Sequence, residues 1–401
     1  MVQTMKIAAR VGQLSPSPTM AVDSKAKALV AAGRDIVNFG AGEPDFDTPA
    51  NIRQAAAMAI EHGHTRYTAV GGIQSLKSAI VERMRQDSGV EYQPDEILVS
   101  VGAKHSLYNA VMTLVSPGDG VLLPVPYWVT YPEQIRLADG VVQAVDIDPS
   151  HHNELYVEDI LRHATSSTRG LILNSPSNPS GAVIGTDNLR AIAQVAVERD
   201  WYVISDEIYG RLVYDDAEQV SIASFPGMRE RTVVINGVSK AYAMTGWRIG
   251  YAAAPRPVIT AMSNLQSQST SNPSTISQHA ALEALTGPQQ VVSDMHREFD
   301  RRRRFAIARV QDIKGLSVVA PKGAFYLWVN MSALVGSILH GRKISNGDDL
   351  ALAWLEEAEV SVVPGSGFGM PNYFRISYAT SMERLATGLD RMAAYIESGH
   401  Q

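Results

Sequence analysis

Cysteine is absent from this 401-residue chain, which excludes disulfides, a thiolate metal site and a cysteine nucleophile. A basic surplus is absent as well. The 35 Lys and Arg stand against 41 Asp and Glu, a net charge of −6, whereas a nucleic-acid-binding chain carries a basic face. No apolar run approaches the roughly 18 residues that a membrane helix needs, and proline interrupts even VLLPVPYWV. The N-terminus, MVQTMKIAARVGQLSP, shows neither an apolar core nor a small-residue cleavage pattern, so a reduced, cytoplasmic setting is expected. Internal repeats and low-complexity tracts are missing. The one basic cluster, Arg301 to Arg304, reads as a solvated helix face.

What is present is the balance of a soluble globular protein, with 45% hydrophobic and 19% charged residues. The length exceeds one ordinary core, so two domains are expected. Short apolar runs bounded by Gly, Pro and Asn recur at 96–101, 120–125, 140–145, 170–174, 201–205, 232–236 and 248–254. Such runs suit strands buried on both faces, and 187–200 between two of them has helical periodicity. The alternation predicts an α/β fold with a mostly parallel sheet sandwiched by helices. Beyond it, a long helical stretch near 277–311 leads to scattered strands in LSVVA, AFYLWV, VSVVP and YFRISYA, and then to helix in SMERLATGLDRMAAYI. This predicts a smaller α+β domain. The expected boundaries are 50–290 for the large domain, and 1–49 with 291–401 for the N-terminal arm plus small domain.

Ligands of α/β sheets bind beyond the carboxyl ends of the strands, so four strand ends are the candidate sites. At Ser100-Val101-Gly102-Ala103-Lys104 small residues expose backbone N–H groups at a helix start, which suits a phosphate; the plain alternative is a tight turn. In Asn174-Ser175-Pro176-Ser177-Asn178-Pro179-Ser180-Gly181, Asn178 projects from an extended backbone set by the following proline. In Ser205-Asp206-Glu207-Ile208-Tyr209, a carboxylate ends a buried strand and needs a cation or hydrogen-bonding partner, unless it caps a helix. Tyr209 follows it in the turn. In Asn236-Gly237-Val238-Ser239-Lys240, the lysine sits in a small apolar turn that lowers its pKa and suits Schiff-base formation. Arg248, eight residues on, could reach a phosphate with a forked pair of hydrogen bonds.

The segment GVSKAYAMTGWRIG (237–250) resembles the cofactor-lysine signature of the class I aminotransferases of fold type I, which use pyridoxal 5'-phosphate. The motifs AGEPDFDTP, RYTAVGG, SVGAKHSL, VPYWVTYPE, NSPSNPSGAV, SDEIYG, VPGSGFG and FRISYA agree in order and spacing, so the resemblance covers nearly the whole chain. It is strongest with the bacterial aspartate aminotransferase branch that also contains prephenate aminotransferases. The resemblance implies that Lys240 is the Schiff-base lysine and the acid/base between substrate Cα and the cofactor. Asp206 would pair with the pyridinium nitrogen, and Tyr209 and Asn178 would hydrogen-bond the ring oxygen. Trp128 would stack on the ring. Gly102, Ala103 and Arg248 would hold the phosphate, with Lys104 and Ser239 beside it, and Tyr67 would reach the phosphate of a neighbouring subunit. That last role implies a homodimer with shared active sites. Arg375 would clamp the substrate α-carboxylate, and Gly42 would lie against the substrate.

Two departures stand out. NPSG replaces the family's usual NPTG, and Gly237 stands where many relatives carry a phosphate-binding Ser or Thr. Lys104 points to a dicarboxylic amino acid, with Ser17 and Thr19 of the arm as helpers, while Gly40 stands where some relatives place a hydroxyl. The expected activity is ping-pong transfer of an amino group between an L-amino acid, aspartate or glutamate, and a 2-oxo acid. No metal and no nucleic-acid or membrane partner is expected. Prephenate or aromatic amino acids as substrates, and a carbon–sulfur lyase, remain the alternatives, because fold type I hosts several reactions. A regulator with an aminotransferase-like domain would need an N-terminal helix-turn-helix, and it is not the expected reading of a sequence that opens almost directly on the arm.

Overall fold

Every apolar run of the first two-thirds becomes a strand of one sheet in the computed structural model, which describes residues 5–14 and 18–399. These strands are β1 (Ile97–Val101), β2 (Gly120–Val125), β3 (Val141–Asp146), β4 (Thr168–Asn174), β5 (Tyr202–Asp206), β6 (Thr232–Gly237) and β7 (Ile249–Ala253). Their order is β1-β7-β6-β5-β4-β2-β3, parallel except where β7 runs antiparallel to both neighbours. Continuous apolar runs arise because successive side chains enter opposite faces, and both faces are covered. Val121, Leu123 and Ile172 thus join one buried cluster, while Leu122, Leu171 and Leu173 join another. A helix, Ala103–Leu114, lies on the first of these faces and contributes Leu107, Ala110 and Val111.

The last third builds a second, antiparallel sheet from β8 (Ser317–Val318), β9 (Tyr326–Asn330), β10 (Val363–Pro364) and β11 (Tyr373–Ser377), in the order β10-β11-β9-β8. The helix Met382–Gly399 packs against it through Leu385, Leu389, Met392 and Ile396. The arm joins this part: Val37–Asn38 pairs in parallel with Val360–Ser361, and Ser377 N–H donates to the Phe39 carbonyl at 2.9 Å. Residues 40–43 are thereby delivered to the carboxyl ends of the central strands of the large sheet.

Two expectations need correction. The helical stretch near 277–311 is two helices, Thr275–Thr286 and Gln290–Gln311, broken at Gly287-Pro288, where proline ends the hydrogen-bond ladder. The basic run on the second of these is not a solvated face. Arg302 and Arg303 are 5% and 2% exposed. Arg302 pairs with Asp45 at 2.7 Å and Glu298 at 2.9 Å, and Arg303 with Asp300 at 2.7 Å and Asp215 at 2.9 Å. Helical rotation turns these two residues toward Phe299 and Ala306, and the carboxylates replace the lost water. Only Arg301 and Arg304 keep exposed side chains.

Candidate active site

Strand polarity places the chemistry. The carboxyl ends of β4 and β5 lie side by side, with Asn174 opposite Asp206, and β6 runs on into the turn that carries Lys240. These ends open into one cavity of about 510 Å³, closed on the other side by Gly40 to Glu43 of the arm and by Arg375 of β11. Backbone and side chain are locked together here. Asn174 Nδ2 donates to the Asp206 carbonyl at 3.0 Å, and its Oδ1 accepts from the Asn178 N–H at 2.7 Å.

Asp206 is 4% exposed. Its Oδ2 accepts from the Tyr131 hydroxyl at 2.9 Å and its Oδ1 from the Ile208 N–H at 3.2 Å. Burial still outweighs these bonds and pushes its pKa up to about 6, so this carboxylate is short of a cationic partner. Lys240 Nζ donates to the Gly42 carbonyl at 2.5 Å. Burial, then the neighbouring Arg375 charge, bring its pKa down to about 8, so a neutral, nucleophilic amine is accessible near physiological pH. Asp206 and Lys240 are therefore tuned in opposite directions within one cavity.

Gly102 has φ +81 and precedes the helix Ala103–Leu114, whose first residues, Ala103 and Lys104, line the cavity with N–H groups that the helix itself does not use. A Cβ on Gly102 would lie 2.4 Å from Arg248 Nη2. The arginine thus rests against the glycine backbone, itself held in the left-handed region at φ +55, a strain of about 1–3 kcal/mol that persists where function requires it. Helix N-terminus and guanidinium together make an anion cradle.

Arg375 is 3% exposed. It donates from Nη1 to Asn178 Oδ1 and from Nη2 to the Gly40 carbonyl, both at 2.9 Å, and its buried Nε has no partner among the described residues. Tyr209 lies beside Asp206, and its hydroxyl is 2.8 Å from that of Tyr326. Lys104 Nζ stands 4.8 Å from the centre of the half-buried Trp128 ring, and partial desolvation and Arg248 draw its pKa below the ordinary lysine value. Ser239 is buried on the cavity wall. Tyr67 is brought elsewhere: it is 91% exposed and does not line this cavity. Ser17 and the side chain of Thr19 lie outside the described residues.

The departures from the family pattern have local reasons. A Cβ at Gly237 would lie 2.9 Å from both Gly250 Cα and the Ile249 carbonyl, so the backbones of β6 and β7 leave no room for a hydroxyl residue. A Cβ at Gly40 would meet Asn38 Oδ1 at 3.1 Å. Sequence reasoning missed Tyr131, Tyr326 and the Glu43–Thr245 hydrogen bond of 2.7 Å, which ties the arm to the turn after Lys240. The signal for Tyr131 was its spacing of three from Trp128, one helical turn on. Among the described residues no group of three or more His, Asp or Glu is placed to hold a metal ion, and no helix is long and apolar enough to cross a membrane.

An activated lysine and a buried carboxylate between an anion cradle and a carboxylate-sized guanidinium define an enzyme of the α/β class that works on small anionic substrates. Comparison with known proteins is consistent with that chemistry and narrows it. Residues 34–392 match the family model of aminotransferase class I and II, and the chain belongs to this family. It is 45% identical to an aspartate aminotransferase of Geobacillus stearothermophilus over 395 residues, 98% of this chain and 100% of the relative. It is also 45% identical to an aspartate/prephenate aminotransferase of Cereibacter sphaeroides, over 96% of this chain and 97% of that one. The crystal structure of the aspartate aminotransferase from Rhizobium meliloti superposes with a TM-score of 0.95 at 41% identity, covering 98% of this chain and 100% of that one. The protein is an aminotransferase of the fold type I architecture.

Proposed function

We propose that this aminotransferase uses pyridoxal 5'-phosphate to move an amino group between L-aspartate or L-glutamate and a 2-oxo acid in a ping-pong cycle. The observation that carries the substrate choice is that, besides Lys27 and the Arg248 of the anion cradle, Arg375 and Lys104 line the cavity that holds Lys240. A dicarboxylic acid offers each a carboxylate, and a forked guanidinium suits the α-carboxylate common to all amino acids.

The residues fit the cofactor. The Gly102–Ala103 helix start with Arg248 suits its phosphate, and the cation-deficient Asp206 suits a protonated ring nitrogen. Trp128 offers a ring face, while Tyr209 and Asn178 offer hydrogen bonds to the ring oxygen. Pyridoxal phosphate supplies an electron sink for the bond electrons released at the substrate Cα. The protein residues do the rest. Lys240 takes and returns the Cα proton, Asp206 keeps the ring nitrogen protonated, Arg375 orients the α-carboxylate, and Gly42 lies over the substrate. Lys104 and Ser239 border the cradle.

The same proposal includes a division into a cofactor-binding part, 50–290, and a closing part, 1–49 with 291–401. It also includes a homodimer in which the exposed Tyr67 reaches the neighbouring subunit's phosphate, and a cytoplasmic setting. Tyr67 is 91% exposed, which leaves its ring accessible for such a contact. Prephenate is the second reading, because relatives at 45% identity are named aspartate/prephenate aminotransferases and prephenate also carries two carboxylates.

The test pairs aspartate, glutamate and phenylalanine with 2-oxoglutarate, oxaloacetate and prephenate. It also traps the lysine with borohydride. Loss of a visible absorption band with label on Lys240 supports the reading, and label on another lysine refutes it. Release of pyruvate and ammonia without an acceptor would identify a lyase instead.

A further inference from the structure

No sequence motif singles out Tyr326, which reads as one more apolar residue of a buried strand. In the fold it is fully buried and touches three separate parts of the site. Its hydroxyl lies 2.8 Å from the Tyr209 hydroxyl. Its ring lies beneath Arg375, with the guanidinium carbon 4.3 Å from the ring centre. Its hydroxyl also stands 3.5 Å from where a Cβ on Gly42 would sit, and the Gly42 carbonyl is the group that holds Lys240 Nζ. Strand register explains the placement. Trp328 of β9 faces Arg375 of β11, so Tyr326, two residues away on the same face, is the diagonal neighbour of that arginine.

We propose that Tyr326 is a positioning residue with two separable roles: its hydroxyl donates to Tyr209, and its ring braces Arg375. It thereby links the grip on the substrate carboxylate to the proton balance at Lys240, a link that rests on the pyridoxal-phosphate reading above. Each phenol has one proton, and burial holds both phenols neutral by raising their pKa values. If Tyr209 directs its proton at the cofactor's ring oxygen, the hydrogen bond between the two hydroxyls must be donated by Tyr326. A phenol that accepts a hydrogen bond becomes a stronger donor. Tyr209 then draws more electron density from the ring oxygen, and the proton on the lysine-bound cofactor is held less tightly. The charged groups that face the pair are Arg375 on β11, Asp206 at the end of β5 and Lys240, with its Nζ 5.8 Å from the Tyr209 ring centre; Glu43 on the arm acts in turn on Lys240. All four remain when only the Tyr326 hydroxyl is removed.

The experiment is a pH titration of the visible absorbance of the holoenzyme, together with KM and kcat for aspartate and phenylalanine. Tyr326→Phe keeps the ring and should raise the transition pH by about 0.3–1 unit, with KM for both donors held within about threefold. Tyr326→Leu removes the ring too and should also raise KM for both donors by roughly tenfold, the loss of one buried cation–π contact. In a Tyr209→Phe background, Tyr326→Phe should add no further shift, because its hydroxyl acts only through Tyr209. Tyr378→Phe removes another buried phenol, which donates to the Ala324 carbonyl at 3.1 Å, and should leave the transition where it is. A Tyr326→Phe transition identical to the parent's overturns the proposal, as does a shift of undiminished size without Tyr209. A parent with no borohydride-sensitive band overturns the cofactor reading and this proposal with it.

Discussion

Removing the ammonium of Lys104 should hurt dicarboxylic substrates and spare apolar ones. Its Nζ stands over Trp128 at 4.8 Å, on the wall of the cavity that also contains Arg375. One charge-assisted hydrogen bond to a distal carboxylate contributes about 1.5–3 kcal/mol. Reaching that carboxylate means leaving the ring face, an exposed cation–π contact of about 0.5–1 kcal/mol. The difference is about 0.5–2.5 kcal/mol, roughly two- to seventy-fold in kcat/KM. The assay compares Lys104→Ala with the parent on aspartate, glutamate and phenylalanine, with prephenate as acceptor. Losses in that range for the two acidic donors, with phenylalanine within about twofold, are expected. Lys104 also neighbours Arg248, whose charge lowers its pKa, so a purely cofactor-directed role has its own signature. A uniform loss across every substrate would show that the lysine serves the anion cradle and would refute distal recognition. No loss at all would refute it too.

Asp206→Ala should keep the fold but lose most turnover, whereas Asp206→Glu should do much less harm; steady-state kinetics within a few-fold of the parent for the Ala variant would contradict the pyridinium role. Gly102→Ala places a Cβ 2.4 Å from Arg248 Nη2 at a residue with φ +81. Cofactor affinity, read by absorbance titration, should fall roughly five- to 150-fold, corresponding to strain of about 1–3 kcal/mol. Glu207 is 6% exposed and accepts from Ser205 and Ser221 at 2.9 and 2.7 Å, yet burial raises its pKa from 4.5 to about 7. The folded state therefore binds more protons than the unfolded state between those values. The stability that Glu207 contributes is full below pH 4.5 and is lost as pH rises through 7. Denaturant unfolding of cofactor-free Glu207→Gln should show a slope flatter by about 3 kcal/mol across that window, and an unchanged slope would refute the assignment.

The strands were legible because a run such as GLILN has only one way to bury apolar side chains on both faces of a sheet. The break at Gly287-Pro288 was missed, because the helical pattern on either side of it outweighed a breaker pair that was there to be read. The burial of Arg302 and Arg303 was not legible. Four consecutive arginines look solvated until Asp45 and Asp215 arrive from other parts of the chain. Tyr131 and Tyr326 were hidden for a related reason: a tyrosine in an apolar run is usually core, and only its neighbour decides whether the hydroxyl has work. The Asp206 carboxylate shows the converse. Its place at a strand end was visible, but its hydrogen-bond partner Tyr131, 75 residues away, was not.

By itself the sequence determined the elements, the strand ends and the identity of the reactive groups, because local conformational preference and burial pattern depend on residues within a few positions of one another. The tertiary structure alone decided which of those groups meet and how they are tuned. Lys240 and Gly42 are 198 residues apart, Asn178 and Arg375 197, Tyr209 and Tyr326 117. Desolvation and charge–charge coupling act across space, so the shifted pKa values of Lys240 and Asp206 exist only once the arm, the two sheets and the turn after β6 enclose one cavity.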